Sequence, residues 1–136
     1  MRLSNMADYA VVVMSAASRH CGTVRVSATD LAAETGLALP TTQKLVSILT
    51  KAGLLRSARG SGGGIALARP AAAITLADII EAVEGPIALT SCVDTGSHNC
   101  AMEGNCRVQP HWAVVNNAVR GALAEVSLTS LTAGRV

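Results

Sequence analysis

A mainly α fold with a small β wing is predicted: a winged helix-turn-helix domain followed by a long C-terminal dimerisation helix. Three observations predict it. Two capped apolar-periodic stretches, one opening at Ser27 and one at Pro40, are joined through Gly36. A glycine run, Gly60-Ser61-Gly62-Gly63-Gly64, separates two short β-rich segments. Beyond Pro110, apolar residues recur at three- and four-residue steps: Trp112, Val115, Val119, Ala122 and Val126.

The elements follow in chain order. Asn5 to Ser18 reads as a first helix that is apolar nearly all round, so it is expected to pack on several sides, beyond its own domain. Asp8 interrupts it, and a carboxylate in the first turn complements the helix dipole. Thr23 to Val26 alternates and is β-rich, which suits a short strand. Ser27 with Asp30 forms a variant capping box, and Gly36 supplies the left-handed stop. Pro40 fits the first turn of the next helix, whose apolar face is read as Leu45, Ile48, Leu49 and Ala52 before Gly53. Two short helices about a glycine turn make a helix-turn-helix. Leu54–Ser57 and Ile65–Ala68 then form a hairpin, the wing. Thr75 and Asp78 repeat the capping pattern ahead of Leu76, Ile79, Ile80 and Val83, and Gly85-Pro86 ends that helix. The seam from Trp112 suits either a coiled-coil partner or a helix lying on its own domain. Ser127 to Val136 is expected to be only partly ordered. The expected division is a DNA-binding domain at 1–85, a cysteine-rich loop at 86–108, and a dimerisation helix with its tail at 109–136.

Composition narrows the function. The 136 residues include only two aromatics, Tyr9 and Trp112, so the core is built from aliphatic side chains. The net charge of +2 is uneven: residues 1–69 carry eight Lys/Arg against three Asp/Glu, and residues 70–136 carry three against six. From Pro40 to Arg69 there are five basic residues and no acidic one. A basic first half suits a polyanion. In a winged helix-turn-helix the second helix enters the major groove with its N-terminal residues on base edges. That nominates Thr41, Thr42, Gln43 and Lys44, with Gln43 able to offer a bidentate amide to adenine. Arg59 at the wing tip can enter a minor groove, and the backbone at Ser61 and Gly62 can approach phosphate. The glycine run lacks the Lys-Ser/Thr of a nucleotide phosphate loop. No signal peptide and no membrane-length apolar run is read, so a cytoplasmic location is expected. No CxxC and no catalytic set is present, which argues against an enzyme or a small-molecule substrate.

Cys92, Cys100 and Cys106 lie in CVDTGSHNCAMEGNC, with seven and then five residues between them. Structural zinc ligands usually pair two to four residues apart, and this loop has no such pair. The wider spacing fits an iron–sulfur cluster better. Three thiolates leave a fourth position, for which His98, His111, Asp8 and Cys21 are available.

RLSNMADYAVVVM, LAAETGLALPTTQKLVSILTKAGLL, RGSGGGIALA and the triple-cysteine loop together resemble the iron–sulfur winged-helix regulators, which include IscR-type and NsrR-type repressors and the SUF-operon regulators. The resemblance spans residues 1 to about 126. It implies a homodimer with crossed C-terminal helices, a pseudo-palindromic double-stranded DNA site, and a cluster held by Cys92, Cys100 and Cys106. IscR-type members have His three residues after the last cysteine, where this chain has Gln109. In NsrR-type members an acidic residue of the partner's first helix completes a 4Fe–4S site, and Asp8 matches that position. The resemblance therefore favours Asp8 over His111, and 4Fe–4S over 2Fe–2S. The opening segment looks closest to the SUF-operon regulators, which implies control of cluster-assembly genes, most simply by repression. A nitric oxide-sensing repressor of the same architecture is the alternative. A metal-stapled protein-interaction module is a further one.

Overall fold

The computed structural model describes residues 2–20, 26–60, 63–89 and 109–133. Helix α1 (Asn5–Arg19) starts at Ser4, whose hydroxyl accepts from Ala7 N at 3.1 Å. It buries Ala7, Ala10, Val13, Met14, Ala16 and Ala17, and its small residues let neighbours approach closely. Helices α2 (Ala28–Thr35), α3 (Leu39–Lys51), α4 (Leu76–Glu84) and α6 (Leu128–Ala133) all pack on it. The helix is thus surrounded largely within its own fold, while Asp8 and Val12 remain exposed.

Both predicted capping boxes form. Asp30 N donates to Ser27 Oγ at 3.0 Å and Ser27 N to Asp30 Oδ2 at 3.1 Å; Thr75 and Asp78 repeat the pair. The bond from the Ser27 backbone lowers the Asp30 pKa. Gly36 closes α2 at φ 78°, a left-handed conformation that a side chain would resist. Strands β1 (Leu55–Ala58) and β2 (Gly64–Leu67) pair antiparallel, Leu55 opposite Leu67 and Ala58 opposite Gly64. Of the predicted strand before α2, residues 23–25 lie outside the described residues. Val26 bridges Ile65, donating at 3.4 Å and accepting at 2.7 Å, so the hairpin is tied to the start of α2. A 3-10 turn (Ala71–Ala73) leads into α4.

Helix α5 (Gln109–Ala124) is sixteen residues long and precedes α6. Here the structure refines two expectations. Of the tail, expected to be partly ordered, the portion through Ala133 is fixed: Leu128 N donates to Ile74 O at 2.8 Å, Leu76 N to Val126 O at 2.8 Å, and Leu128 is fully buried among residues of α1 and the first domain. The chain end therefore completes the core of the N-terminal unit instead of extending the α5 segment. Leu128→Ala should destabilise the fold by about 2 kcal/mol, the low end for a buried leucine because the short helix can partly collapse. A lowered denaturant midpoint with an unchanged slope is the expected readout.

The predicted seam is also divided. Trp112 is 38% exposed and Val115 44%, whereas Val119 and Val126 are half-buried. Val114, outside the 3-4 pattern, is the most exposed large apolar residue described, at 68%. At about 100° per residue, Val119 and Leu123 turn toward α4 while Val114, Val115, Ala118 and Ala122 turn outward.

Candidate nucleic-acid interface and metal centre

Helical period fixes which face of α3 is free. Thr42, Leu45, Val46 and Leu49 are buried, spaced three, one and three residues apart, so the inward stripe runs along that side. The opposite side presents Pro40, Gln43, Lys44, Ser47 and Lys51, all exposed. Of the nominated residues, Gln43 and Lys44 are therefore exposed on this side, and Thr41 sits half-buried at the edge. Thr42 is a correction. Its side chain is fully buried and its hydroxyl donates to Ala38 O at 3.1 Å, so it is a packing residue and offers nothing to a base. Ser47 and Lys51 were missed, although their spacing of three and seven residues from Lys44 marks the same face.

Arg59 is exposed in the turn of the wing, and Arg56 is exposed on β1. Ser61 and Gly62 lie outside the described residues. The turn is tight: Gly60 has φ 95° and accepts from Gly63 N at 2.9 Å. A Cβ at Gly63 would stand 2.3 Å from Ala58 O and 2.7 Å from two backbone carbons, a space only glycine can occupy. The helix-turn-helix is braced from behind by Glu34, which accepts from Arg19 Nε at 2.8 Å and from His20 Nε2 at 2.6 Å. These bonds, the His20 one foremost, hold the Glu34 carboxyl below its ordinary range.

Of the expected metal ligands, Cys92, Cys100 and Cys106 lie outside the described residues, as do His98 and Cys21. Asp8 is exposed on α1 and has no ion pair among the described residues. His111 is exposed in the first turn of α5. Among the described residues no three His, Cys, Asp or Glu side chains converge on a metal position.

The residues just before the cysteine segment are held by a set of hydrogen bonds. Ile87 N donates to Glu81 Oε2 at 2.9 Å, and Leu89 N to Asn116 Oδ1 at 2.8 Å. Asn116 Nδ2 returns a bond to Ile87 O at 2.9 Å, and Arg120 grips Glu81 through Nη2 at 2.8 Å and Nε at 3.1 Å. The Arg120 bonds, ahead of the Ile87 one, lower the Glu81 pKa. A carboxylate with a depressed pKa stabilises the fold above its ordinary titration range, and this contribution disappears as pH falls through the lowered value. Glu81→Gln should therefore melt below the parent at neutral pH, with the gap closing in acid.

Comparison with known proteins agrees with this geometry. The family of iron-dependent transcriptional regulators called Rrf2 matches residues 3–134. The IscR regulator of Photorhabdus laumondii subsp. laumondii is 32% identical over 131 residues, which cover 96% of this chain and 79% of the relative. Two solved structures align along nearly the whole length. CymR, the global cysteine regulator of B. subtilis, has a TM-score of 0.77 at 26% identity, covering 100% of this chain and 99% of the other. T. potens IscR has a TM-score of 0.75 at 27% identity, covering 98% and 88%. Among the described residues no helix is long and apolar enough to cross a membrane. The chain is a helix-turn-helix transcriptional regulator of the Rrf2 family, not an enzyme, and it is similar to IscR along most of its length.

Proposed function

We propose that the protein is a homodimeric, cytoplasmic repressor of iron–sulfur assembly genes that reads cluster or redox status. The observation that carries its DNA reading is the outward face of α3, where Gln43 and Lys44 stand clear of the core next to a wing bearing Arg56 and Arg59. In the bound state α3 lies in the major groove, Gln43 meets a base edge, Lys44 and Lys51 meet phosphate or guanine, and Arg59 reaches a flanking minor groove. Two copies related by a two-fold axis would read a pseudo-palindromic site. The exposed apolar side of α5, Val114, Val115, Ala118 and Ala122 with Trp112, supports that pairing.

The donor set fits a cluster: three thiolates, plus a carboxylate at Asp8 that is solvent-exposed and open to a second copy. Cys92, Cys100 and Cys106 would hold it, with Asp8 as the fourth ligand and His111 as its competitor. When bound, the cluster supplies a centre sensitive to oxidants and to iron supply. The chain's own contribution is to tie that centre, through residues 85–89 and α5, to the helices behind α3.

The test is operator binding by anaerobically prepared protein before and after removal of its metal. A change in affinity of about fivefold or more, in the usual range for allosteric coupling, is expected. Equal affinity in both forms would remove the sensing role and leave a constitutive DNA binder.

A further inference from the structure

Asn116 is one of only two buried polar side chains among the described residues, 6% exposed, in the middle of a helix whose other faces are exposed or apolar. A lone asparagine in such a place has a large desolvation cost unless its amide is fully used. Here it is used on the backbone: Oδ1 takes the Leu89 N–H and Nδ2 gives to the Ile87 carbonyl, so one side chain holds both ends of the short segment 87–89. One helical turn further, Arg120 holds Glu81, and Glu81 takes the Ile87 N–H. The segment 87–89 is thereby joined to α4 and α5 at once.

Sequence order gives this clamp its importance. Leu89 stands three residues before Cys92, and Gln109, the first residue of α5, stands three after Cys106. A rearrangement of the cysteine segment that shifts its two ends would pull on 87–89 at one end and on α5 at the other. Beside the segment lies a cleft of about 490 Å³, lined by Ile87 and Leu89 together with Leu3, Ile80, Val119 and Leu123, and also by Arg2 and Glu84. It gives 87–89 room to move if its bonds to Asn116 are released. A two-state element needs both a set of bonds that can be exchanged and room for the second arrangement, and this corner of the fold has both.

We propose that Asn116, supported by the Glu81–Arg120 pair, is the positioning residue that couples the cysteine segment to α5 and so to operator affinity. The inference rests on the cluster-sensing reading above. Asn116 acts through the backbone of 87–89.

The experiment compares the parent with Asn116→Leu, which keeps the volume but removes both bonds, and with Arg120→Gln, an exposed change that leaves the core intact. Three quantities are read: iron content after anaerobic purification, exchange of the Leu89 amide in the metal-free protein, and operator affinity with and without the cluster. Asn116→Leu should load iron, exchange Leu89 faster, and bind the operator with nearly the same affinity in both states. The parent should keep the change of about fivefold or more expected of a coupled system. Arg120→Gln should lie between the two. If Asn116→Leu loads iron and keeps the parent's full change in affinity, the clamp has no coupling role although the sensing reading stands. If the parent holds no iron or shows no change, both fall together.

Discussion

Lys44→Glu is expected to lower operator affinity about a hundredfold while leaving the melting temperature within about a degree of the parent, because surface changes away from packed features rarely alter stability. The side chain is exposed on the outward face of α3, so reversing it disturbs no packing. It sits in a stretch, Pro40 to Arg69, with five basic residues and no acidic one, so the carboxylate would be an isolated negative charge against a polyanion. Losing a base or phosphate contact costs about 1–3 kcal/mol, and adding repulsion takes the sum to about 3 kcal/mol, or two decades. Titration of labelled operator at several salt concentrations checks this, with the salt slope falling alongside the affinity. A Lys44→Glu protein that bound as tightly as the parent would move the DNA surface away from α3. Thr42→Val is the useful contrast: a buried hydroxyl is lost, so stability should shift while the DNA face is untouched.

Gly63→Ala should be the most damaging single methyl group added to the wing. The Cβ would meet Ala58 O at 2.3 Å and carbonyl carbons of Ala58 and Arg59 at 2.7 Å. These are backbone atoms inside a hairpin turn and cannot swing aside as a side-chain end could. The turn has to open, at a cost of about 3 kcal/mol, and Arg59 leaves its position at the tip. Operator affinity is expected to drop about tenfold, the equivalent of one lost contact, most strongly at sites flanked by narrow A·T minor grooves. Gly53→Ala provides the control. It has φ 80° but nothing within 4 Å, so only the backbone conformation resists it, at about 1 kcal/mol. Equal effects from the two substitutions would show that crowding at Gly63 is unimportant.

Much of the DNA-facing half was legible because its signals are local. Capping boxes at Ser27 and Thr75, the stop at Gly36, Pro40 in the first turn of α3 and the glycine tip each depend on neighbours within a few residues. The phase of α3 was legible only in part: Leu45 and Leu49 are buried as expected, but Val46 lies inside, Ile48 is half-buried and Ala52 is exposed, and Thr42 was nominated by its place at the start of the helix instead of by its register with Leu45, Val46 and Leu49. The docking of α6 was not legible. LTSLTA carries two leucines among polar residues, and what fixes it is a distant backbone bridge between Thr75 and Ser127. The α5 seam was ambiguous for another reason: apolar residues occur on both sides of the helix, and only the position of α4 decides that Val119 and Leu123 turn inward. Asn116 gave no signal at all, since an Asn-Asn pair in a helix reads as solvated until residues 87–89 cover one of the two.

In the proposed function Cys92, Cys100 and Cys106, with Asp8, would hold an iron–sulfur cluster in a DNA-binding dimer. The direct measurement is iron and acid-labile sulfide content together with the visible absorption spectrum, on anaerobically purified parent and Asp8→Ala protein. Iron and sulfide in equal amounts, with a spectrum altered by Asp8→Ala, is the predicted result. Zinc, or no metal at all, in the anaerobic parent would contradict it.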